Sequence, residues 1–261
     1  MGKVRTLVLR AAGTNCDYET AFAFEMAGAE AELVHVNRLV RGEKEPKDYH
    51  ILAIPGGFTY GDDVSAGKIL ANEVRAWLAA EVQRFIEDGK LIIGICNGFQ
   101  ALVKAGWLPG LSTGLGGQQA TLFTNDSGRF QCEWVRLRTE NDGKCVFTRN
   151  VEGIIELPIA HGEGKFVLQD EATLRQLQEN HQIVFRYVDA QGNPTPEANP
   201  NGSVANIAGI CDPTGRILAL MPHPERHIFP TQHPRWTREG LKKEGDGLII
   251  FRNAVEYAAK L

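Results

Sequence analysis

Cysteine is scarce in this chain. Only Cys16, Cys96, Cys132, Cys145 and Cys211 occur among 261 residues. The number is odd and no two stand as Cys-x-x-Cys, which argues against a disulfide framework and against a zinc site built on paired thiolates. No metal site is expected. No apolar stretch approaches the length that spans a bilayer. The opening residues, Met-Gly-Lys-Val-Arg-Thr-Leu-Val-Leu-Arg, lack the apolar core of a signal peptide and pass directly into a strand-like run. A cytoplasmic protein with no membrane partner is the expectation. Positive charge is not in excess either, since 28 Lys and Arg face 32 Asp and Glu, for a net charge of −4. That gives no general attraction for nucleic acid. The sequence has no internal repeat, no low-complexity tract and no Gly-x-Gly-x-x-Gly. The run from Gly61 to Lys68 resembles a phosphate loop, but its spacing is one residue too long and Ile69 stands where Ser or Thr belongs. A nucleotide site on this chain is therefore not expected.

What is present is an ordinary globular composition, 43% hydrophobic and 23% charged. No linker splits the chain convincingly, so one domain over residues 1–261 is expected. The first half alternates strand-like and helix-like segments. Val4 to Leu9, Ala31 to Val36, Ile51 to Ile54 and Leu91 to Ile95 read as strands. Asp17 to Ala27, Val74 to Asp88 and Asn97 to Ala105 read as helices, each closed by a glycine. Apolar strands with helices between them predict an α/β fold with an open, mostly parallel sheet covered on both faces. After about residue 115 the rhythm changes. Phe130 to Arg138, Gly153 to Ile159 and Ile183 to Val188 read as strands without long helices between them, which predicts antiparallel additions. A further strand, Ile217 to Met221, and a closing helix, Gly247 to Lys260, complete the reading.

In an open parallel sheet ligands sit beyond the carboxyl ends of the strands. Cys96 stands at that end of its strand, in Gly-Ile-Cys-Asn-Gly, which has the form of a nucleophile elbow with Cys in place of Ser. The flanking glycines remove Cβ clashes at a strained turn. The helix that starts behind Cys96 favours the thiolate, and the Asn97 N–H is a candidate oxyanion donor. Cys16, in the loop after the first strand, is the closest rival.

A cysteine nucleophile needs a histidine, and the histidine an orienting acceptor. His223 follows an apolar strand and sits in Pro-His-Pro-Glu. The prolines stiffen an extended segment in which His223 and Glu225 face the same way. His161, in Pro-Ile-Ala-His-Gly-Glu-Gly, is the competitor, carried on a glycine loop. A third loop, Pro55-Gly-Gly-Phe-Thr-Tyr-Gly-Asp-Asp, follows a strand, and Gly56-Gly57 lets backbone N–H groups approach a substrate.

Gly94-Ile-Cys-Asn-Gly-Phe-Gln100, the Pro55-Gly-Gly loop and Pro222-His-Pro-Glu225 together resemble the class I (triad) glutamine amidotransferases, whose fold is flavodoxin-like. Asn97-Gly-Phe-Gln100, Pro158-Ile-Ala-His-Gly-Glu-Gly164 and Asp246-Gly-Leu-Ile-Ile-Phe251 narrow the resemblance to the PurQ family, the glutaminase subunits of phosphoribosylformylglycinamidine synthase. The resemblance implies glutamine hydrolysis through a thioester on Cys96, with His223 as base and Glu225 as its orienter. It implies oxyanion and substrate contacts from Gly56, Gly57, Asn97 and Gln100, and a secondary place for His161. No cofactor is implied on this chain. ATP and Mg are expected on a separate synthetase subunit that receives the ammonia, and a small accessory subunit is expected beside it. The loop Phe58 to Asp63, with Tyr60 as anchor, and the loop around His161 are the expected docking face. The chain is longer than the short form of these subunits, with 187–203 and 226–246 as the extra material. Two other classes fit the same scaffold: a stand-alone Cys hydrolase and a non-catalytic binding protein.

Overall fold

The computed structural model describes residues 2–111, 117–140 and 143–261. Residue 115, where the sequence rhythm changes, lies outside them. Eleven strands are formed among the described residues: β1 (Arg5–Arg10), β2 (Glu30–His35), β3 (Ile51–Ile54), β4 (Leu91–Ile95), β5 (Ala120–Phe123), β6 (Gln131–Thr139), β7 (Ile154–His161), β8 (Lys165–Leu168), β9 (Ile183–Val188), β10 (Ile207–Cys211) and β11 (Ile217–Leu220). Nine of them make one sheet in the order β2-β1-β3-β4-β11-β10-β9-β6-β7, while β5 and β8 pair separately.

The sheet has two halves. From β2 to β11 every pairing is parallel, and from β11 to β7 every pairing is antiparallel. In the parallel half β3, β4 and β11 are buried at every position. Continuous apolar runs are what a strand covered on both faces requires. The helices that cover it are α1 (Asp17–Met26), α2 (Val36–Val40), α3 (Lys68–Trp77), α4 (Ala79–Glu87) and α5 (Asn97–Lys104). They are followed in the chain by α6 (Glu171–Glu179), α7 (Trp236–Glu239) and α8 (Leu248–Ala258). The expected α/β class and the antiparallel additions are both observed.

Three differences from the sequence reading have physical causes. The helix read over 74–88 is two helices, α3 and α4, broken at Leu78 with φ −126°. Leu70, Val74, Leu78, Val82 and Phe85 all remain buried. The i, i+4 spacing runs unbroken through the joint, so periodicity carries no trace of it. Strands β5 and β8 are four residues each and find partners only in each other, a signal too short to read. Helix α6 buries only Thr173 and Leu177, so its apolar stripe is thin. Its start is fixed instead by Asp170, which accepts from the Thr173 N–H at 2.8 Å.

The two stretches read as extra material have structural work. In 187–203, Asn201 and Ser203 donate to the Gly164 carbonyl at 3.0 and 3.3 Å, and the Phe166 N–H donates to Ser203 Oγ at 2.9 Å. They brace the loop between β7 and β8. The stretch 226–246 is pinned to β7 at Glu156, which takes Arg235 at 3.0 Å and His233 at 2.7 Å.

The antiparallel half curls back over the end of the parallel half. Four strand spacings separate β11 from β7 in the sheet order, roughly 19 Å if the sheet were flat. Yet the His223 N–H, just beyond β11, donates to the Pro158 carbonyl on β7 at 2.8 Å. Sheet twist closes that gap. It brings an edge strand to the carboxyl ends of the central ones.

Candidate active site

Strand order decides what meets at the site. β4 lies between β3 and β11, in register Ile54 with Gly94 on one side and Leu220 with Ile95 on the other. All three are parallel, so the segments after each leave from one edge. They are Gly56-Gly57, Cys96 and Pro222 to Glu225. The loop after β1 joins them by pairing with the loop after β3. The Cys16 N–H donates to the Gly56 carbonyl at 3.2 Å, Phe58 N–H to Gly13 at 3.0 Å and Tyr60 N–H to Ala12 at 2.7 Å.

Cys96 sits between β4 and α5 with φ +51° and ψ −103°, a conformation that side-chain-bearing residues rarely adopt. The glycines around it are sterically required. A Cβ at Gly98 would overlap the Ile54 carbonyl oxygen, and one at Gly94 would overlap Leu102 and the Gly98 backbone. The Cys96 N–H is anchored on the Leu220 carbonyl at 2.8 Å, and the thiol approaches the Ala160 carbonyl at 3.7 Å. Asn97 is the first residue of α5, so its N–H has no partner within the helix.

His223 Nδ1 lies 2.6 Å from Glu225 Oε1, with both side chains buried. The stretch is not extended throughout, as the sequence suggested. Pro224 to Arg226 form one turn of 3₁₀ helix, and the imidazole meets Glu225 across that turn. Burial works against charging the ring. The Glu225 carboxylate and the thiols of Cys96 and Cys16 outweigh it, holding His223 well above its ordinary value. Among the described residues the buried Nε2 has no conventional hydrogen bond, and the ring interacts with both thiols. Cys16 brings its sulfur within 4.8 Å of the His223 and Glu225 ligating atoms. Burial pushes the Cys16 thiol up, against the pull of His223 and Arg226.

These groups line a cavity of about 160 Å³ formed by Asn15, Cys16, Gly57, Phe58, Cys96, Phe130, Ala160, His223 and Arg226. Gly56 stands directly behind it: a Cβ there would fall 2.7 Å from His223 Cε1 and 3.2 Å from Cys16 Sγ.

Two expected site residues serve differently. Gln100 does not line the cavity. Its Nε2 donates to the Glu163 carbonyl at 2.7 Å, and its Oε1 accepts from Asn97 Nδ2 at 2.9 Å. The Asn97 side chain also holds Asp62 at 2.9 Å and accepts from Thr59 Oγ1 at 2.5 Å. Together they stitch the loop after β3 and the loop after β7 onto α5. His161 is buried against Gly164, and neither ring nitrogen has a hydrogen-bond partner among the described residues. Burial, with the nearby His223 charge, lowers it to about 4. It is a neutral ring buried beside the site, while the neighbouring Ala160 carbonyl reaches the sulfur.

The Tyr60 hydroxyl donates to Glu73 at 2.5 Å. The exposed aromatic pair at the cavity mouth is Phe58 and Phe130, with ring centroids 6.1 Å apart. Sequence reasoning missed Arg226 and Phe130. Arg226 had a visible signal, since it directly follows Glu225 in the same rigid turn. Phe130 had none, because it arrives from the antiparallel half.

The chain is similar to known proteins over nearly its whole length. Residues 3–258 match the family model described as the CobB/CobQ-like glutamine amidotransferase domain. Over 261 residues, all of both chains, the sequence is 52% identical to phosphoribosylformylglycinamidine synthase subunit PurQ of Dehalococcoides mccartyi. The chain belongs to the PurQ family. A PurQ subunit of Methanococcus maripaludis is 46% identical over 269 aligned positions, 98% of each chain. Among solved structures, PurLQS from Thermotoga maritima superposes with a TM-score of 0.74 at 32% identity, over 98% of this chain and 99% of that one. No described helix is long and apolar enough to cross a membrane.

Proposed function

We infer that this chain is the glutaminase subunit of phosphoribosylformylglycinamidine synthase. One observation carries the reading. The imidazole fixed by buried Glu225 opens onto the elbow cysteine inside a cavity sized for one small side chain. Cys96 gives its proton to His223, and the sulfur then attacks the glutamine amide carbon. The N–H groups of Gly57 and Asn97 are the candidate donors to the oxyanion. His223 passes its proton to the amide nitrogen, ammonia leaves and a thioester remains. His223 then deprotonates a water, which attacks the thioester. Glutamate departs and the thiol is restored. The Glu225 carboxylate orients the ring and balances the imidazolium.

The ammonia passes to an ATP-dependent synthetase subunit that makes formylglycinamidine ribonucleotide, with ATP and Mg bound on that partner. A small accessory subunit completes the complex. The likeness to the T. maritima PurLQS chain supports these partners. Phe58 and Phe130, exposed at the cavity mouth, are the proposed docking anchors. The test is glutamate release by the purified chain with and without the synthetase, alongside amidine formation from the ribonucleotide. Full glutamine turnover by the isolated chain, with no amidine formed in the mixture, would revive the stand-alone hydrolase.

A further inference from the structure

The triad accounts for amide cleavage but not for how an amino acid is told from a plain amide. Arg226 is the one permanently charged residue among those lining the cavity. Its guanidinium is held from one side. Nε and Nη2 both donate to Glu19 Oε1 on α1, each at 3.1 Å. Nη2 also reaches Cys16 Sγ at 3.1 Å, which turns that edge of the fork towards the cavity. Among the described residues the Nη1 amino group has no hydrogen-bond partner.

We propose that Arg226 recognises the α-carboxylate of glutamine, and that Glu19 positions its guanidinium for that task. This rests on the glutaminase reading above. The dimensions fit. Arg226 Nη2 is 3.1 Å from Cys16 Sγ, and that sulfur is within 4.8 Å of the His223 and Glu225 ligating atoms. In extended glutamine four carbon–carbon bonds separate the amide carbon from the carboxylate carbon, a span of roughly 5 Å. With the amide at Cys96 and His223, the carboxylate arrives where Arg226 waits. A guanidinium suits it because the free Nη1 amino group can give a carboxylate oxygen a charge-assisted hydrogen bond. The neutral walls, Phe58, Phe130 and Ala160, leave that contact without a competing anion in the cavity. A primary amide without the carboxylate would enter, but without its anchor.

The experiment uses the assembled complex with its synthetase. It compares glutamine with 4-aminobutyramide, which is glutamine without the α-carboxylate. Arg226→Gln should raise KM for glutamine by about 10–100-fold, the loss expected for a charge-assisted contact. It should leave kcat/KM for 4-aminobutyramide within a few-fold, so the preference for glutamine collapses. Arg226→Lys should keep part of that preference, and Glu19→Gln should raise KM by less than Arg226→Gln. Alkylation of Cys96 by iodoacetamide, followed by peptide mapping, should proceed in Arg226→Gln as in the unaltered chain, which reports an intact elbow. An unchanged KM for glutamine overturns the proposal. So does an equal loss on both substrates, the result of a strap that merely ties α1 to the 224–226 turn. In either case the glutaminase reading stands, provided the unaltered complex hydrolyses glutamine. If that complex hydrolyses neither amide, both readings fall together.

Discussion

Glu225 Oε1 meets His223 Nδ1 at 2.6 Å with both groups out of water, and the imidazole is held well above its ordinary value by that carboxylate and the two thiols. A base and its orienter tied this closely act as one unit. His223→Ala should lower glutamine turnover by roughly 10²–10⁴-fold. Glu225→Gln should cost less, since the base survives with the wrong tautomer favoured. The double variant should be no worse than His223→Ala alone. Losses that multiply in the double variant would show that the two residues work separately.

Cys96→Ala should abolish glutamine hydrolysis and leave the fold intact, because a smaller side chain fits the elbow. The synthetase should still make amidine from added free ammonia. An electrophilic glutamine analogue should label Cys96. Peptide mapping that finds the label on Cys16, which shares the same imidazole, would reassign the nucleophile.

The glycines separate stability from chemistry. Gly98→Ala drives a Cβ into the Ile54 carbonyl, backbone that cannot move without disturbing β3, and should destabilise the protein by about 1–3 kcal/mol. Gly56→Ala instead presses on the His223 ring, 2.7 Å away. It should lose activity out of proportion to any fall in Tm. Thermal unfolding and turnover measured on both variants test the distinction.

His161 makes stability depend on acid. Its folded value lies near 4 against an ordinary 6.5, so below 6.5 the unfolded chain binds the proton and the folded chain does not. Stability contributed by the neutral ring is complete above pH 6.5 and falls as pH drops towards 4, by roughly 3 kcal/mol at most. Denaturant unfolding across that window should show a flatter pH slope for His161→Gln. Identical slopes would mean the ring ionises freely in the folded protein.

Docking of the synthetase should raise glutaminase turnover. The loop after β3 carries Tyr60, Asp62 and Val64 at positive φ, a strained path directly beside the oxyanion donors. A partner that resets this loop changes the alignment of Gly57, and one oxyanion donor is worth roughly 10²–10³ in rate. Steady-state glutamate release with and without the synthetase measures it. Equal rates would remove the idea.

Local chemistry was legible in the sequence where a residue's role depends on its own neighbours. The Gly94-x-Cys96-x-Gly98 elbow needs only a strand, a sharp turn and a helix start, all written within a few residues. Pro222-His223-Pro224-Glu225 carries its own rigidity, and a glycine-free, fully apolar β3 announces burial on both faces. What the sequence could not hold is adjacency. β4 and β11 are far apart in the chain, and only the order of the sheet makes Cys96 N–H and the Leu220 carbonyl partners at 2.8 Å. Only the curl of the antiparallel half brings the Ala160 carbonyl to the Cys96 sulfur and the Pro158 carbonyl to the His223 backbone N–H. The hydrogen bonds that hold Gln100 outside the cavity and the burial of His161 against Gly164 have the same origin. Each side chain's direction is set by long-range packing, which local periodicity does not encode. Residue types fixed which chemistry was possible, and tertiary packing decided that His223 and not His161 lines the cavity, where both Cys16 and Cys96 meet it.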